Sequence, residues 1–298
     1  MAEICPVVNT ERLLLATDGS EFSEGAIREA IRMAKQCSSK LTVLSVIETN
    51  PEFESMAPQV LEKRVKEVRA HLEAVQARAK QEGVACDIAL HEGEDSYKYI
   101  VDEAVAKKST MIIVGRRGKK GFRWLVMGST TSWTIGHAPC SVLVVPRAAQ
   151  VQFKSIVVAT DGSKYSAAAA SEAIGIAKRN NARLTAISVV PAELATPADI
   201  DFATIAREKL ADQEMHSAEK NAKAVKDAAQ VEGVRVHAFV MTGRPADTII
   251  ETAKEKNADL IVVGSHGRTG LDKLLMGSVA ERVIVLSPCA VLVVKGKQ

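Results

Sequence analysis

Two short stretches of this chain have the makings of a phosphate cradle. In the first, Gly115, Arg116, Arg117 and Gly118 are followed, after nine intervening residues, by Gly128 and Ser129. In the second, Gly264, Ser265, His266 and Gly267 are followed, after nine residues, by Gly277 and Ser278. Each copy comes directly after an apolar run, Met111 to Val114 and Leu260 to Val263. A strand that runs into a glycine-rich loop and then a helix offers unpaired backbone N–H groups to an anion. Glycine suits such a loop because phosphate oxygens need close backbone approach, which a Cβ blocks. A carboxylate also recurs, in Ala16-Thr17-Asp18-Gly19-Ser20 and again in Ala159-Thr160-Asp161-Gly162-Ser163. Across a shared crevice, such a carboxylate accepts ribose hydroxyl protons or holds a metal that bridges to phosphates. A nucleotide uses both ends.

The elements that must carry these loops occur twice. The Asp-Gly-Ser turns lie 143 residues apart (161 − 18), and the glycine loops lie 149 apart (264 − 115). The second half has therefore gained six residues (149 − 143) between its second strand and its glycine loop, where extra length costs little. A period near 145 residues marks a duplicated domain rather than a solenoid repeat. The expected boundaries are residues 1–147 and 151–298, joined by a short polar stretch that leaves no room for a flexible tether. The two halves are expected to touch.

Each half reads as five strands alternating with helices. Leu13 to Ala16, Leu41 to Ile47, Val84 to Leu90, Met111 to Val114 and Val142 to Val145 are short runs rich in Val, Ile and Leu. The second half repeats them as Ile156 to Ala159, Leu184 to Val190, Val234 to Met241, Leu260 to Val263 and Val291 to Val294. Continuous apolar runs suit strands buried on both faces of a parallel sheet. Between them, Phe22, Ala26, Ile27, Ala30, Ile31 and Ala34 follow helical spacing, as do Leu61, Val65, Val68, Leu72, Val75 and Ala79 before Gly83. The expectation is an α/β fold of two tandem doubly wound parallel-sheet domains. In such sheets the ligand sits beyond the carboxyl ends of the strands, where the Asp-Gly-Ser and glycine loops emerge.

Composition narrows the class. Two cores fit within 298 residues, and no apolar run reaches the roughly 20 residues needed to span a bilayer. The start of the chain lacks the basic and apolar segments of a signal peptide, so a cytoplasmic setting is expected. Five cysteines without C-x-x-C spacing predict neither a disulfide frame nor a zinc site, and Cys140 and Cys289 read as inert core thiols. A net charge of +3 gives no support to nucleic-acid binding. No G-x4-G-K-(S/T) loop, G-x-S-x-G elbow or H-E-x-x-H pair occurs, so no catalytic group is assigned. Plainer readings stand beside these: Asp18 and Asp161 as helix caps, and His266 as a solvated loop residue. His71, His91, His137, His216 and His237 share no spacing and read as structural or exposed.

The Asp-Gly-Ser starts, the two G-x2-G-x9-G-S loops and the closing Pro-Cys-(Ser/Ala)-Val-Leu-Val-Val strands resemble the universal stress protein family over nearly the whole chain. The resemblance implies an adenine nucleotide alpha hydrolase-like sheet ordered 3-2-1-4-5 in each half. It also implies ATP in the glycine loop, with Mg2+ as an optional companion. Carried over by motif, the first half would hold nucleotide through Ala16, Asp18, Val46, Val114, Gly115, Arg117, Gly118, Gly128, Ser129 and Thr130. The second would use Ala159, Asp161, Val189, Val263, Gly264, His266, Gly267, Gly277, Ser278 and Val279. Single-domain relatives pair through the closing strand, so the halves are expected to form an intrachain pseudo-dimer through residues 141–145 and 290–294. An ATP-binding regulator acting on an unidentified protein partner is the leading function. A slow ATPase and a scaffold with degenerate sites are the alternatives, and room remains for a homodimer. The first half departs from the family's wording: residues 116–123 carry five cations, and Thr130 to Trp133 stand where the second half has Val279 to Arg282.

Overall fold

The computed structural model of the chain describes residues 5–7, 10–116, 127–192, 202–268 and 276–296, excluding the side chains of 202–208. It divides into two compact units, Met1–Gln150 and Val151–Gln298. In the first, β1 (Arg12–Ala16), β2 (Lys40–Glu48), β3 (Cys86–Gly93), β4 (Met111–Gly115) and β5 (Ser141–Val145) form a parallel sheet ordered β3-β2-β1-β4-β5. Leu13, Leu14 and Leu15 are all fully buried, as a central strand covered on both faces requires. The helices are α1 (Glu24–Cys37), α2 (Pro51–Met56), α3 (Pro58–Gln81), α4 (Ser96–Ala106) and α5 (Ser129–His137). Of these, α1 packs on β1, β2, β4 and β5, α3 packs on β2 and β3, and α4 packs against α5.

The second unit repeats the plan. Its strands are β6 (Ser155–Ala159), β7 (Arg183–Pro191), β8 (Val236–Gly243), β9 (Leu260–Gly264) and β10 (Ala290–Val294), parallel and ordered β8-β7-β6-β9-β10. Around them lie α6 (Lys164–Asn180), α7 (Phe202–Val231), α8 (Pro245–Glu255) and α9 (Ser278–Leu286). Contacts of α6 and α7 with the sheet, and of α8 with α9, give the layered arrangement of a doubly wound domain. No helix among the described residues is long and apolar enough to cross a membrane.

Two expectations need correction. The strands expected to start at Val84 and Val234 start two residues later, at Cys86 and Val236. Val84 and Val234 instead donate their N–H groups to Ala79 O (2.9 Å) and Ala229 O (2.8 Å), closing the ends of α3 and α7. Gly83 (φ +77°) and Gly233 (φ +71°) turn the chain there, as glycine does after a helix. The cysteine count also misled, since Cys5 and Cys37 form a disulfide with Cα atoms 4.3 Å apart. Running out along β1 and back along α1 returns the end of the helix to the residues that lead into the sheet. Cys86, Cys140 and Cys289 take no part in a disulfide. Burial pushes the Cys86 and Cys289 thiols up to about 11, which keeps them protonated and inert.

Candidate nucleotide site

The second unit brings its two signature loops together. Ala159 ends β6, and the chain turns through Asp161 and Gly162 into α6. Asp161 is not the cap of that helix, contrary to the plainer reading. Ser163 is the cap, its Oγ accepting the Ser166 N–H at 3.1 Å. The Asp161 carboxylate is used differently. Its Oδ1 accepts the Ser163 N–H at 3.0 Å, and its Oδ2 accepts the Arg268 N–H at 2.9 Å, directly after Gly267. One side chain thus ties the loop after β6 to the loop after β9. Burial alone would push this carboxyl up, but hydrogen bonds from Ser163, Ser166 and Arg268 outweigh it and hold it below the ordinary aspartate range. It is an anion at neutral pH. Being ionised and half-buried, it repels phosphate but still has lone pairs for a hydroxyl or a cation.

The glycines on this loop have separate reasons. A Cβ on Gly267 would lie 2.8 Å from Asp161 Oδ2, against the tie itself. A Cβ on Gly264 would lie 2.7 Å from the Tyr165 carbonyl carbon and 2.9 Å from Ser166 N, so β9 can approach the start of α6 only without one. Gly277 closes the loop, its N–H donating to Ser265 O at 2.9 Å, and its α-carbon faces Gly267 N and His266. α9 then starts without a side-chain cap, so its first-turn N–H groups suit an anion. Ser278 and Val279 are exposed on that first turn. The His266 ring lies 5.1 Å from that of Tyr165, with Nδ1 3.1 Å from Ser265 Oγ. Val263 is buried, whereas Val189 is half-exposed near the end of β7, after a buried run from Leu184 to Ser188.

Three residues at this site escaped the sequence reading. Asn221 of α7 lies over Gly162 (φ +81°), where a Cβ would meet its Oδ1 at 2.5 Å. Arg268, besides its backbone bond to Asp161, donates through its two terminal guanidinium nitrogens to Glu214 of α7, at 3.1 and 2.6 Å. The signal for Asn221 was a polar residue on the inward face of a long helix. Its counterpart in the first unit, 150 positions earlier (221 − 71), is His71.

The first unit keeps the frame with different furniture. Asp18 Oδ1 accepts from Ser20 N (3.0 Å) and Ser20 Oγ (2.7 Å), while Ser23 is the residue at the start of α1, so Asp18 is not a cap either. His71 packs over Gly19, with Nε2 3.2 Å from Thr17 Oγ1. Gly115 O accepts the Thr131 hydroxyl at 3.1 Å, Val114 is buried, and Val46 repeats the half-exposed position of Val189. Ala16 ends β1 as Ala159 ends β6. Gly128 precedes α5, which also lacks a side-chain cap, and Ser129 and Thr130 form its first turn. Arg117 and Gly118 lie outside the described residues. Trp133 stacks on Tyr97 (5.2 Å), where the matching Arg282 of the second unit instead pairs with Asp247.

The sequence profile of the universal stress protein family matches residues 9–146 and again residues 152–295. The chain belongs to the universal stress protein family. A universal stress protein of Methanocaldococcus jannaschii is 45% identical over 145 residues, covering 48% of this chain and 82% of that protein. A universal stress protein of Mycobacterium bovis is 28% identical over 309 residues, covering 95% of this chain and 94% of its own length. The tandem form is therefore shared. A universal stress protein structure from Archaeoglobus fulgidus superposes with a TM-score of 0.73 at 23% identity, covering 97% of this chain and 99% of the other. That likeness establishes the fold.

Proposed function

We propose that the second unit binds ATP, and that its occupancy biases the interaction of this universal stress protein with an unidentified protein partner. The observation that carries the reading is the Asp161 carboxylate, held 2.9 Å from the backbone N–H that follows Gly267. That contact sets a hydroxyl or cation acceptor beside a glycine loop whose following helix is uncapped. The phosphates would lie along Gly264, His266, Gly267, Gly277, Ser278 and Val279. The ribose would meet Asp161, and the base would lie against Ala159, Val189 and Val263. Among the described residues no group of three His, Cys, Asp or Glu side chains could hold a metal. Where Mg2+ accompanies ATP, it would be held chiefly by the phosphates and water, with Asp161 as its protein ligand in place of the ribose contact.

A link to a partner surface is built into the same loop. Arg268 follows Gly267 and joins Glu214 on α7, so filling the cradle bears on a helix with an exposed outer face. The first unit is the second candidate, through Ala16, Asp18, Val46, Val114, Gly115, Arg117, Gly118, Gly128, Ser129 and Thr130. Mass spectrometry of ligand released from protein purified under native conditions tests the reading. Calorimetric titration with ATP gives the number of sites. No released nucleotide together with no heat of ATP binding would reject it.

A further inference from the structure

We infer that the outer edge of the second unit's sheet is a self-association surface, on which β8 pairs antiparallel with β8 of a second copy of this chain. Among the described residues β8 ends the strand order of its unit and pairs with β7 alone. Leu184 N donates to Arg235 O at 3.3 Å, which sets the alternation of the ladder. In a parallel pair every second residue turns both its N–H and C=O to the neighbour. His237, Phe239 and Met241 therefore bond β7, while Val236, Ala238, Val240 and Thr242 turn their backbone groups to the free side. An edge strand of this length is a template for another strand unless charge, proline or a bulge guards it.

The two edges of matching position differ in that guard. β3 carries Asp87 and Glu92, and Asp87 pairs with Lys40. β8 reads Val-His-Ala-Phe-Val-Met-Thr-Gly, without an Asp, Glu, Lys or Arg. Its exposed face instead carries His237, Phe239 (39% exposed) and Met241 (37% exposed) in a row, with the His237 and Phe239 rings edge to face. The one cation seen over it among the described residues is off the strand, Lys256 Nζ at 5.3 Å from the Phe239 ring.

A second copy suits this edge because the strand is complementary to itself. A two-fold axis at Phe239 sets Ala238 of one copy opposite Val240 of the other, so their outward N–H and C=O groups bond reciprocally. The same axis sets Phe239 opposite Phe239 and Met241 opposite His237, on one face at the close spacing of a non-hydrogen-bonded pair. No like charges on the strands meet.

Sedimentation velocity of the full chain across the micromolar range tests this, with Ala238→Pro and Phe239→Lys alongside. Proline at 238 removes an outward N–H while leaving the β7 ladder intact. Because the loss occurs twice in the dimer, the dissociation constant should rise about 10- to 30-fold. Phe239→Lys sets two ammonium groups opposite each other and should leave only monomer. It sits on an exposed face, so it carries the test if the proline variant fails to fold by circular dichroism. A wild-type chain that stays monomeric, as expected if the edge serves a different protein's strand, overturns the inference. So does a dimer that survives Phe239→Lys.

Discussion

Replacing Asp161 with alanine separates a binding role from a structural one. The carboxylate accepts two backbone N–H groups, from Ser163 and Arg268. Ser163 is half-buried in the loop after β6 and Arg268 is exposed in the loop after β9, so water can replace the lost acceptor at each and the folding cost should be about 1 kcal/mol. For a unit of this size that is a fall of roughly 2–4 °C in melting temperature. A charge-assisted bond from a ribose hydroxyl contributes about 1.5–3 kcal/mol. Its loss should weaken ATP roughly 10- to 150-fold at that site. Asp161→Asn is the sharper companion. Its amide oxygen can still accept from Ser163, but its NH2 would face the Arg268 N–H, donor against donor, and free the loop. Isothermal titration calorimetry of the full chain reads both units, so each substitution is measured alone and with Asp18→Ala. Affinity and stoichiometry unchanged beside a lowered melting temperature would refute the reasoning and leave Asp161 a structural tie.

Other outcomes follow from the same geometry. Gly267→Val should abolish ATP binding in the second unit with little change in melting, since its Cβ would fall 2.8 Å from Asp161 Oδ2; calorimetry beside a thermal melt decides. Gly264→Ala should cost stability as well, about 1–3 kcal/mol in urea unfolding, because its Cβ would meet backbone atoms of Tyr165 and Ser166. Reducing the Cys5–Cys37 bond, which closes a loop of sequence separation 32, should destabilise the first unit by about 3–4 kcal/mol, read as a melting shift with reductant and in Cys37→Ser. The lowered pKa of Asp161 stabilises the fold fully above the ordinary aspartate range. That contribution is lost as pH falls through the lowered value, because the unfolded chain takes up the proton first. The Ser163 and Arg268 amide signals followed by NMR during acid titration should move together below the ordinary range, and independent titrations would contradict the shared tie.

Much of the fold could be read from the chain, because its cause is local. Leu13 to Leu15 and Leu260 to Val263 are short apolar runs without alternation, which suits a strand covered on both faces. Boundaries failed where a helix end competed for the same residue, as Val84 and Val234 show. The small helix α2 was missed although Asn50 caps it by accepting from Phe53 N and Pro51 opens it, a signal confined to a few positions. Cys5 and Cys37 carry no spacing signature; their meeting depends on the packed return of α1. Near the candidate site, the loop residues were visible as motif, whereas Asn221, His71 and Glu214 were not. Those three reach the loops from long helices, and periodicity gives a helix's face without saying which loop it will meet.

The packing of Gly264 bears on how this family is surveyed from sequence. Its missing Cβ is required by the start of α6, a contact within the fold that needs no ligand. A domain that has stopped binding anything would still be selected to keep glycine there, and a motif search would go on scoring it as a binder. Among the described residues Gly267 is under no such backbone constraint, as the one atom its Cβ would crowd is the carboxylate oxygen of Asp161. Across duplicated copies drifting apart, the joint presence of Gly267 and Asp161 is the informative character, and the first glycine of the motif records ancestry.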